Sequence, residues 1–367
     1  MSEVFFQDYN RAKDVLEGLE KLFLSSGLAS IIPKGGSVAV KVHMGEKGNI
    51  TYLRPSFARK IVELIKEAGG IPFVTDTTAL YPKGRFTARD YLETAAFNGF
   101  TAETMGAPII IADGDKGYDG TPVKIEKRVD GCTLKDVKVA SAILKADALV
   151  VLSHFKGHVL SGVGGAIKNL AMGCTTKEGK AAQHAMNPPT LDEAKCNACG
   201  VCVDVCPFQA LTLKGGMPSR NLQKCMYCSE CLFKCPQSAL YWPKGAKEKF
   251  QVYMAHAAYG VITALNKLRV GYLNFIQDVT PQCDCCTPAG QPLTWDVGVL
   301  ASLDPVAIDK ASLDIVDQAP LFPSLPAVSP PDLLGKINGT NSLIHIRTAE
   351  KLGAGSLEYR LKAVGDE

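Results

Sequence analysis

Two copies of one cysteine motif constrain this chain more than any other part of its sequence. Residues 196–207 read Cys-x2-Cys-x2-Cys-x3-Cys-Pro, and residues 225–236 repeat the same spacing. In motifs of this kind three thiolates in a tight loop bind one iron–sulfur cubane, and the fourth cysteine, at the start of a helical turn, belongs to the other cluster. The repeat therefore predicts a ferredoxin-like module with two [4Fe–4S] clusters.

The ligands of the two clusters are expected to be crossed. The first set is Cys196, Cys199, Cys202 and Cys235, and the second set is Cys225, Cys228, Cys231 and Cys206. A single CxxC pair would leave zinc as an alternative, but two complete four-cysteine motifs, each closed by proline, favour clusters. Two adjacent clusters suit a relay of single electrons.

The chain has 367 residues, more than a ferredoxin alone needs, and its net charge of +3 is nearly balanced. Such a balance gives no basis for binding nucleic acid or an anionic membrane surface. The N-terminus does not resemble a secretory signal, and the longest apolar helical stretch, residues 253–265, is too short to span a bilayer. Thirteen cysteines in such a chain indicate ligands kept reduced, so we expect a cytoplasmic protein.

Outside the module, strand and helix patterns alternate. Short apolar strands are predicted at residues 37–43, 71–76, 148–153, 271–279 and 296–300, and helices at residues 55–69, 87–98, 137–145 and 304–316. This alternation predicts an α/β fold, with a mostly parallel sheet and helices on both faces. The simplest organisation is one α/β domain over residues 1–190 and 246–367, interrupted by a small α+β module over residues 191–245.

Polar side chains gather at the predicted strand ends, where ligands bind in doubly wound sheets. His43 and Asp76 close two strands, and His154, Lys156 and His158 follow a third. Each alone is more often a hydrogen-bonded loop residue or a solvated lysine. Their coincidence at strand ends favours a ligand site.

A glycine-rich helix start follows these strand ends. Gly164 and Gly165 precede Lys168 and Asn169 in a segment that matches neither a dinucleotide fingerprint nor a Walker A loop. Exposed backbone N–H groups and a lysine would bind an anion, although a glycine pair before a helix is often only turn chemistry.

Three cysteines within four residues form the next motif. Cys283, Cys285 and Cys286 stand in a predicted loop, and Cys174 is a candidate fourth thiolate. A third metal site, either an iron–sulfur cluster or zinc, is the favoured interpretation. A vicinal dithiol that accepts electrons is the alternative.

These segments together resemble the family called domain of unknown function 362. The resemblance rests on KVHMGEKGN, TDTTALYPKGR, SHFKGH, GGAIKNLAMGC, the double cysteine motif, DVTPQCDCC and DVGVLASLDPVAIDKASLD. It implies an α/β domain with an inserted dicluster module. Asp76-Thr77 and the segment from Gly164 to Lys168 are also loosely similar to the nickel-pincer lactate racemase family, which implies a pocket but no nickel.

The favoured function is an iron–sulfur oxidoreductase. Its clusters would pass electrons from a ferredoxin-type partner to a small anionic substrate or a third metal site. His43, His154 and His158 would donate protons or ligate, Asp76 would act as a base or position substrate, and Lys168 would anchor an anion. Two alternatives are a non-catalytic electron carrier that docks a redox partner, and a metal- or cluster-handling protein that uses the loop from Cys283 to Cys286.

Overall fold

The structure, a computed structural model, describes residues 1–185, 188–265, 269–323 and 328–365. The strands are β1 (Ser2–Asp8), β2 (Ser37–Val42), β3 (Ile71–Asp76), β4 (Ile109–Ile111), β5 (Gly120–Lys124), β6 (Asp136–Ala140), β7 (Ala148–His154), β8 (Lys156–His158), β9 (Gly162–Gly164), β10 (Thr190–Leu191), β11 (Leu211–Lys214), β12 (Met217–Arg220), β13 (Leu240–Tyr241), β14 (Val270–Ile276), β15 (Gly298–Ser302) and β16 (Tyr359–Ala363). The α-helices are α1 (Val15–Ser25), α2 (Pro55–Glu67), α3 (Ala88–Phe97), α4 (Ala102–Met105), α5 (Ser141–Leu144), α6 (Ala166–Gly173), α7 (Lys177–His184), α8 (Val201–Asp204), α9 (Glu230–Phe233), α10 (Ala246–Ala264), α11 (Pro305–Gln318), α12 (Leu333–Ile337) and α13 (Leu343–Leu352).

The central sheet of the described residues has eight strands in the order β16-β1-β15-β14-β7-β2-β3-β4. The strands from β14 to β4 in that order are parallel to one another. β15 runs antiparallel to both neighbours, β14 and β1. The prediction of an α/β fold with a mostly parallel sheet is confirmed.

Successive residues of β7 point into two hydrophobic cores, one on each face of the sheet. Leu149 and Val151 pack in a core with α6, α10 and α11, whereas Val150 and Leu152 pack in a core with α1, α2 and α3. A strand buried on both faces is mostly apolar, which explains the apolar run over residues 148–152 that precedes the polar end of β7. Helices therefore cover both faces, as predicted.

The start of α11 also agrees with the sequence. Asp304 is its N-cap, with a carboxylate that accepts hydrogen bonds from the backbone N–H groups of Val306 at 2.8 Å and Ala307 at 2.9 Å. Pro305 occupies the first helical position, where its missing N–H costs nothing. No helix in the described part of the chain is long and apolar enough to cross a membrane.

The predicted helix over residues 137–145 is wrong in its first half. Residues Asp136–Ala140 form β6, which pairs antiparallel with β5, and only Ser141–Leu144 is helical. Val137 and Val139 are both buried, so the apolar residues alternate with a period of two, as a half-buried strand requires.

The order of the strands creates a crevice at the carboxyl edge of the sheet. From β2 the chain proceeds outward to β3 and β4, and then returns to place β7 on the other side of β2. Such a reversal opens space beyond the strand ends. His43, just after β2, and His154, the last residue of β7, lie on either side of this switch point.

The cysteine-rich segment forms a small unit between α7 and α10. It contains two short antiparallel ribbons, β10 with β13 and β11 with β12, and two single-turn helices, α8 and α9. Its own core is small and is built around Cys202, Leu211 and Leu240. A core of this size gives little hydrophobic stabilisation without a bound group.

Asp309 of α11 ties that helix to the first turn of α6. Its carboxylate accepts hydrogen bonds from the backbone N–H groups of Ala166 at 2.7 Å and Ile167 at 2.9 Å, and from the side chain of Asn274 at 2.8 Å. Gly165 must lack a side chain because a Cβ there would collide with this carboxylate. Burial raises the pKa of Asp309 to about 6, so the group is ionised at neutral pH.

Replacing Asp309 by alanine should lower the free energy of unfolding by roughly 2–4 kcal/mol, because three buried donors would lose their acceptor. Urea denaturation followed by circular dichroism would measure the loss. Lys310→Ala on the same helix is the control, since its ion pair with Asp314 is partly exposed and should contribute less than about 1 kcal/mol. Equal losses in the two variants would contradict this role of Asp309.

Candidate functional site

A cavity of about 390 Å³ lies between the carboxyl edge of the sheet and the cysteine-rich module. The α/β domain contributes His43, Asp76, Lys156, His158, Gly164, Gly165, Lys168, Asn169, Cys283, Cys285 and Cys286, all of them predicted site residues. The module contributes Tyr227, Cys228, Ser229 and Glu230, which form the loop of the second cysteine motif. The cavity is thus shared between the two parts of the chain.

Positive charge dominates the wall of this cavity. The lysine and arginine residues of the described lining are Lys41, Lys83, Arg85, Lys156, Lys168, Lys180 and Lys234, and the carboxylates are Asp76 and Glu230. An excess of cations in a partly desolvated space favours an anionic ligand.

The carboxylate of Asp284, between the cysteines of the three-cysteine loop, lies fully buried beneath the cavity. His154 Nδ1 is 2.7 Å from Asp284 Oδ1, and Lys156 Nζ is 3.2 Å from Oδ2. Burial alone would raise the pKa of Asp284, but these two neighbours hold it well below its usual value. Asp284 therefore fastens the loop to β7 and β8 as an anion.

His154 is held by two buried hydrogen-bond partners, and its predicted part in proton transfer stays a prediction. Its Nε2 lies 2.7 Å from the carbonyl oxygen of Gln277, and its Nδ1 faces Asp284. The carbonyl oxygen of Gln277 can only accept, so Nε2 carries a proton. His154 thus bridges the backbone after β14 and the buried carboxylate of Asp284, and it does not line the cavity.

His43 and His158, in contrast, line the cavity as neutral imidazoles. Burial lowers the pKa of each well below its usual range. The Nδ1 atom of His43 accepts from the N–H of Gly45 at 3.1 Å, and that of His158 accepts from the N–H of Ser161 at 3.2 Å. In each ring the proton is therefore on Nε2. The buried Nε2 of His43 has no hydrogen-bond partner among the described residues.

The three-cysteine loop presents a chain of thiols to the cavity. The pKa of Cys283 is raised, first by its hydrogen bond with Cys285, and the pKa of Cys286 is lowered, first by its hydrogen bond with Cys285. The ammonium group of Lys168 lies 3.0 Å from the sulfur of Cys283. Gly157 permits this packing, because a Cβ there would collide with the backbone of the loop at Pro281.

The fully buried Lys41, which the sequence analysis did not identify, interacts with both Asp76 and Asn169. Lys41 pairs with Asp76 at 3.3 Å and also donates to the side-chain oxygen of Asn169. Asp76 accepts a second hydrogen bond from Tyr91, and Asn169 donates to Ser153 at 2.7 Å. Both residues line the cavity and hold its wall in place through these contacts, and their predicted roles as a base and a substrate ligand stay predictions.

The predicted anion site at the start of α6 lies at the cavity, but not all of its backbone donors are free. Gly164 and Gly165 line the cavity, but the N–H groups of Ala166 and Ile167 already donate to Asp309. Two of the amides that a helix start offers to an anion are therefore used inside the protein. Lys168 remains as the cation of this segment that faces the cavity.

Cys174 is not placed with the other three thiols. It lies in the hydrophobic core, its sulfur donates to the carbonyl oxygen of Asn169 at 3.8 Å, and burial raises its pKa to about 12. It is absent from the described lining of the cavity, whereas Cys283, Cys285 and Cys286 are part of it. The structure therefore does not assemble the predicted four-thiol set.

The module's thiols are grouped in the crossed pattern. Cys206, Cys225, Cys228 and Cys231 line one small cavity of about 20 Å³. The pKa of Cys202 is raised by burial and by the nearby thiols of Cys199, Cys196 and Cys235, which places these four cysteines together. The two groups have the same members as the two predicted ligand sets.

The backbone of the two motifs is repeated as closely as the sequence. Left-handed residues Ala198, Gly200 and Gln209 have counterparts Tyr227, Ser229 and Ser238, each 29 residues further on, as Cys225 is from Cys196. The backbone N–H groups of Ala210 and Ala239 donate to the sulfurs of Cys206 at 3.2 Å and Cys235 at 3.3 Å. Such N–H···S bonds suit thiolates that ligate a cluster, so these residues fit the predicted cofactors.

Among the described residues, no group of three or more histidine, cysteine, aspartate or glutamate side chains is arranged to hold a single metal ion. A cubane is a group of several atoms, so its thiolates surround a volume rather than converge on a point. The finding therefore concerns single-ion sites.

Several residues that line the cavity were not identified by the sequence analysis. They are Lys41, Tyr81, Arg85, Lys180 and His184. Arg85 pairs with Glu46 at 3.2 Å within the segments HMGEKGN and ALYPKGR, which are rich in charge and follow strands, so strand-end position was an available signal. Lys180 and His184 lie on α7, where the sequence gave no such signal.

The fold and cavity define an α/β protein with a cysteine-rich module inserted against the carboxyl edge of its sheet. The family described as "Domain of unknown function (DUF362)" matches residues 38–314, and the chain belongs to this family. No curated protein matches the chain.

Solved structures that match include the lactate racemase apoprotein from Thermoanaerobacterium thermosaccharolyticum, which is 10% identical with a TM-score of 0.38 and is covered over 51% of its length and 75% of this chain. A protein from Thermotoga maritima is 10% identical with a TM-score of 0.37, covered over 49% of its length and 71% of this chain. The chain thus spans about half the length of these two structures. Similarity at this level says nothing about function, so the distant likeness to lactate racemases stays a prediction.

Replacing Asp284 by asparagine should lower the free energy of unfolding by roughly 3–5 kcal/mol, because it removes the buried anion that pairs with Lys156 and hydrogen-bonds with His154. Chemical denaturation would measure this loss. Asp278→Asn, in the same connection, is the control, since its 3.2 Å pair with Arg54 is partly exposed and should matter by less than about 1 kcal/mol. A small effect of Asp284→Asn would show that the carboxylate is not the anchor of the loop.

Proposed function

We propose that this chain is an iron–sulfur protein that relays electrons through two [4Fe–4S] clusters to a substrate held in the shared cavity. The observation that carries the proposal is that Cys228, an expected ligand of the second cluster, lines the same cavity as His43, His158 and Lys168. The clusters, when bound, would supply electrons one at a time. Its expected location is the cytoplasm, where thiols stay reduced.

The residues of the α/β domain would bind and polarise the substrate, and water would supply the protons that the reduction consumes. In both His43 and His158 the Nδ1 atom accepts a backbone hydrogen bond, so the Nε2–H group of either ring is placed to donate a hydrogen bond to a bound substrate. Lys168 would bind an anionic group of that substrate. His154, Lys156 and Asp284 would hold the cavity wall rigid behind the reacting groups.

Within this proposal, two features of the module favour electron transfer from the first cluster to the second. Cys199 of the first ligand set is exposed, so that cluster is the accessible one for a ferredoxin-type partner protein. Arg220 lies 3.9 Å from Cys231 of the second set, and the equivalent residue of the first motif, 29 positions earlier, is Leu191. A cation stabilises the reduced, more negative form of a cluster. Electrons would therefore settle on the second cluster, beside the cavity.

A second candidate function is the handling of a metal or a cluster at the three-cysteine loop. The mutual hydrogen bonds of Cys283, Cys285 and Cys286, on the wall that the cavity shares with Cys228, favour it. In that case the loop would hold a labile metal, and a dithiol electron acceptor there is the related alternative.

Anaerobically purified protein should contain about eight irons and about eight sulfides per chain. Cys228→Ala should remove roughly half of both, because one ligand set loses a thiolate, while Cys132→Ala, outside both sets, should change neither. Iron and sulfide analysis with EPR of the reduced protein would measure this. Protein that holds only zinc would refute the relay, and a further loss of metal on replacing Cys283, Cys285 and Cys286 would favour the second candidate.

Replacing Arg220 by glutamine should lower the potential of one cluster by an amount on the order of tens of millivolts, because the reduced form loses a nearby cation. The other cluster should be unaffected. EPR-monitored redox titration would resolve the two. Lys224→Gln removes an equal charge from an exposed position of the module and should have a smaller effect. Equal shifts of both clusters would refute the assigned direction.

A further inference from the structure

The two sides of the shared cavity differ in chemistry. The α/β domain contributes most of the cations and all three histidines of the described lining, whereas most of the aromatic rings, Tyr227, Phe233, Trp242 and Phe250, come from the module and α10. Phe233 and Trp242 of the module pack edge to face with ring centroids 5.5 Å apart, and the ring of Phe250 in α10 is tilted against His184 with centroids 4.6 Å apart. Phe233 is 59% exposed although it is a large apolar side chain, so part of this aromatic surface is uncovered.

Lys168 is the cation best placed to meet a ligand. Lys41, Lys156 and Arg85 pair with Asp76, Asp284 and Glu46 respectively. Within the described part of the chain no carboxylate forms an ion pair with Lys168, whose contact is the sulfur of Cys283. An ammonium group in a desolvated wall is stabilised by an anion that arrives with a ligand.

The anion expected here is a carboxylate rather than a phosphate. Phosphate sites use the free N–H groups of a helix start, and at α6 those of Ala166 and Ile167 already donate to Asp309. One lysine with the unpartnered Nε2–H of His43 offers donors suited to a single charge.

We propose that the cavity binds a small organic acid with a flat apolar body, its carboxylate at Lys168 and its body against the aromatic wall of Phe233, Trp242 and Phe250. The volume of about 390 Å³ accommodates a molecule of one or two rings. This inference deepens the proposed function and rests on it in treating the cavity as the substrate site. It names the substrate class without requiring that the clusters be reduced.

The test is isothermal titration calorimetry on anaerobic, cluster-containing protein with three probes. 2-Naphthoate carries both the carboxylate and the rings, 2-naphthalenemethanol lacks the charge, and acetate lacks the rings. We expect 2-naphthoate to bind roughly tenfold or more tightly than either of the others, because its carboxylate would contact Lys168 while its rings pack against the aromatic side chains. Equal affinities for acetate and 2-naphthoate would overturn the aromatic half of the proposal, and equal affinities for the acid and the alcohol would overturn the charged half.

Variants then test which residue binds the carboxylate of the ligand and which binds its rings. Lys168→Met should reduce binding of 2-naphthoate to the level of the alcohol and leave the alcohol unchanged, and Lys168→Arg should restore most of the preference. Phe233→Ala should weaken 2-naphthoate and leave acetate unchanged. Lys214→Met is the control, because this exposed lysine of the module lies outside the cavity lining. If Lys214→Met acts like Lys168→Met, the effect is general charge and the site assignment fails.

Metal analysis of the same samples separates this inference from the proposed function. Protein that contains the clusters but does not bind 2-naphthoate would overturn the substrate class and leave the relay intact. Protein that binds the acid but holds no iron would overturn the relay and keep the binding site.

Discussion

The buried carboxylate of Asp284 is the contact on which the candidate site depends. An isolated charge in a protein interior costs several kcal/mol, and here His154 and Lys156 compensate it from β7 and β8. The backbone around Asp284 is held as well, because its carbonyl oxygen accepts from the N–H of Glu46 and that of Cys286 accepts from Asn49. These contacts join the ends of β2, β7 and the three-cysteine loop, and so they fix the direction in which the flanking thiols point.

Much of the fold follows from local patterns in the sequence. The apolar strands around residues 40, 73 and 150 are found as predicted, because buried parallel strands are apolar throughout and are punctuated by glycine and proline. The edge strands β1 and β16 were not predicted. They pair with each other across nearly the whole chain, and a pairing of that kind leaves no local periodicity to recognise. The sequence predicts helix at β6 because the three apolar residues of this short strand fit either a helical or a strand period.

The position of the candidate site could be predicted from the sequence better than the roles of its individual residues. Strand-end reasoning brought His43, His158 and Lys168 to one cavity. Lys41 forms an ion pair with Asp76 and a hydrogen bond with Asn169, and Asp309 accepts hydrogen bonds from the backbone N–H groups at the start of α6. Lys41 and Asp309 come from distant or apolar-looking segments of the sequence, so no spacing rule links them to these partners. Asp284 lies within the segment DVTPQCDCC, but the sequence analysis considered only the cysteines of that segment. A sequence shows which polar groups share an edge, whereas the structure shows which of them are already neutralised.

The pairing of β10 with β13 brings the two ends of the module side by side where it joins the α/β domain. The domain's own sheet and both of its cores are built from segments before and after this junction. The module is therefore a closed loop whose two ends meet at the α/β domain. Under the proposed function, loss of the clusters would unfold the module and leave the sheet of the α/β domain folded.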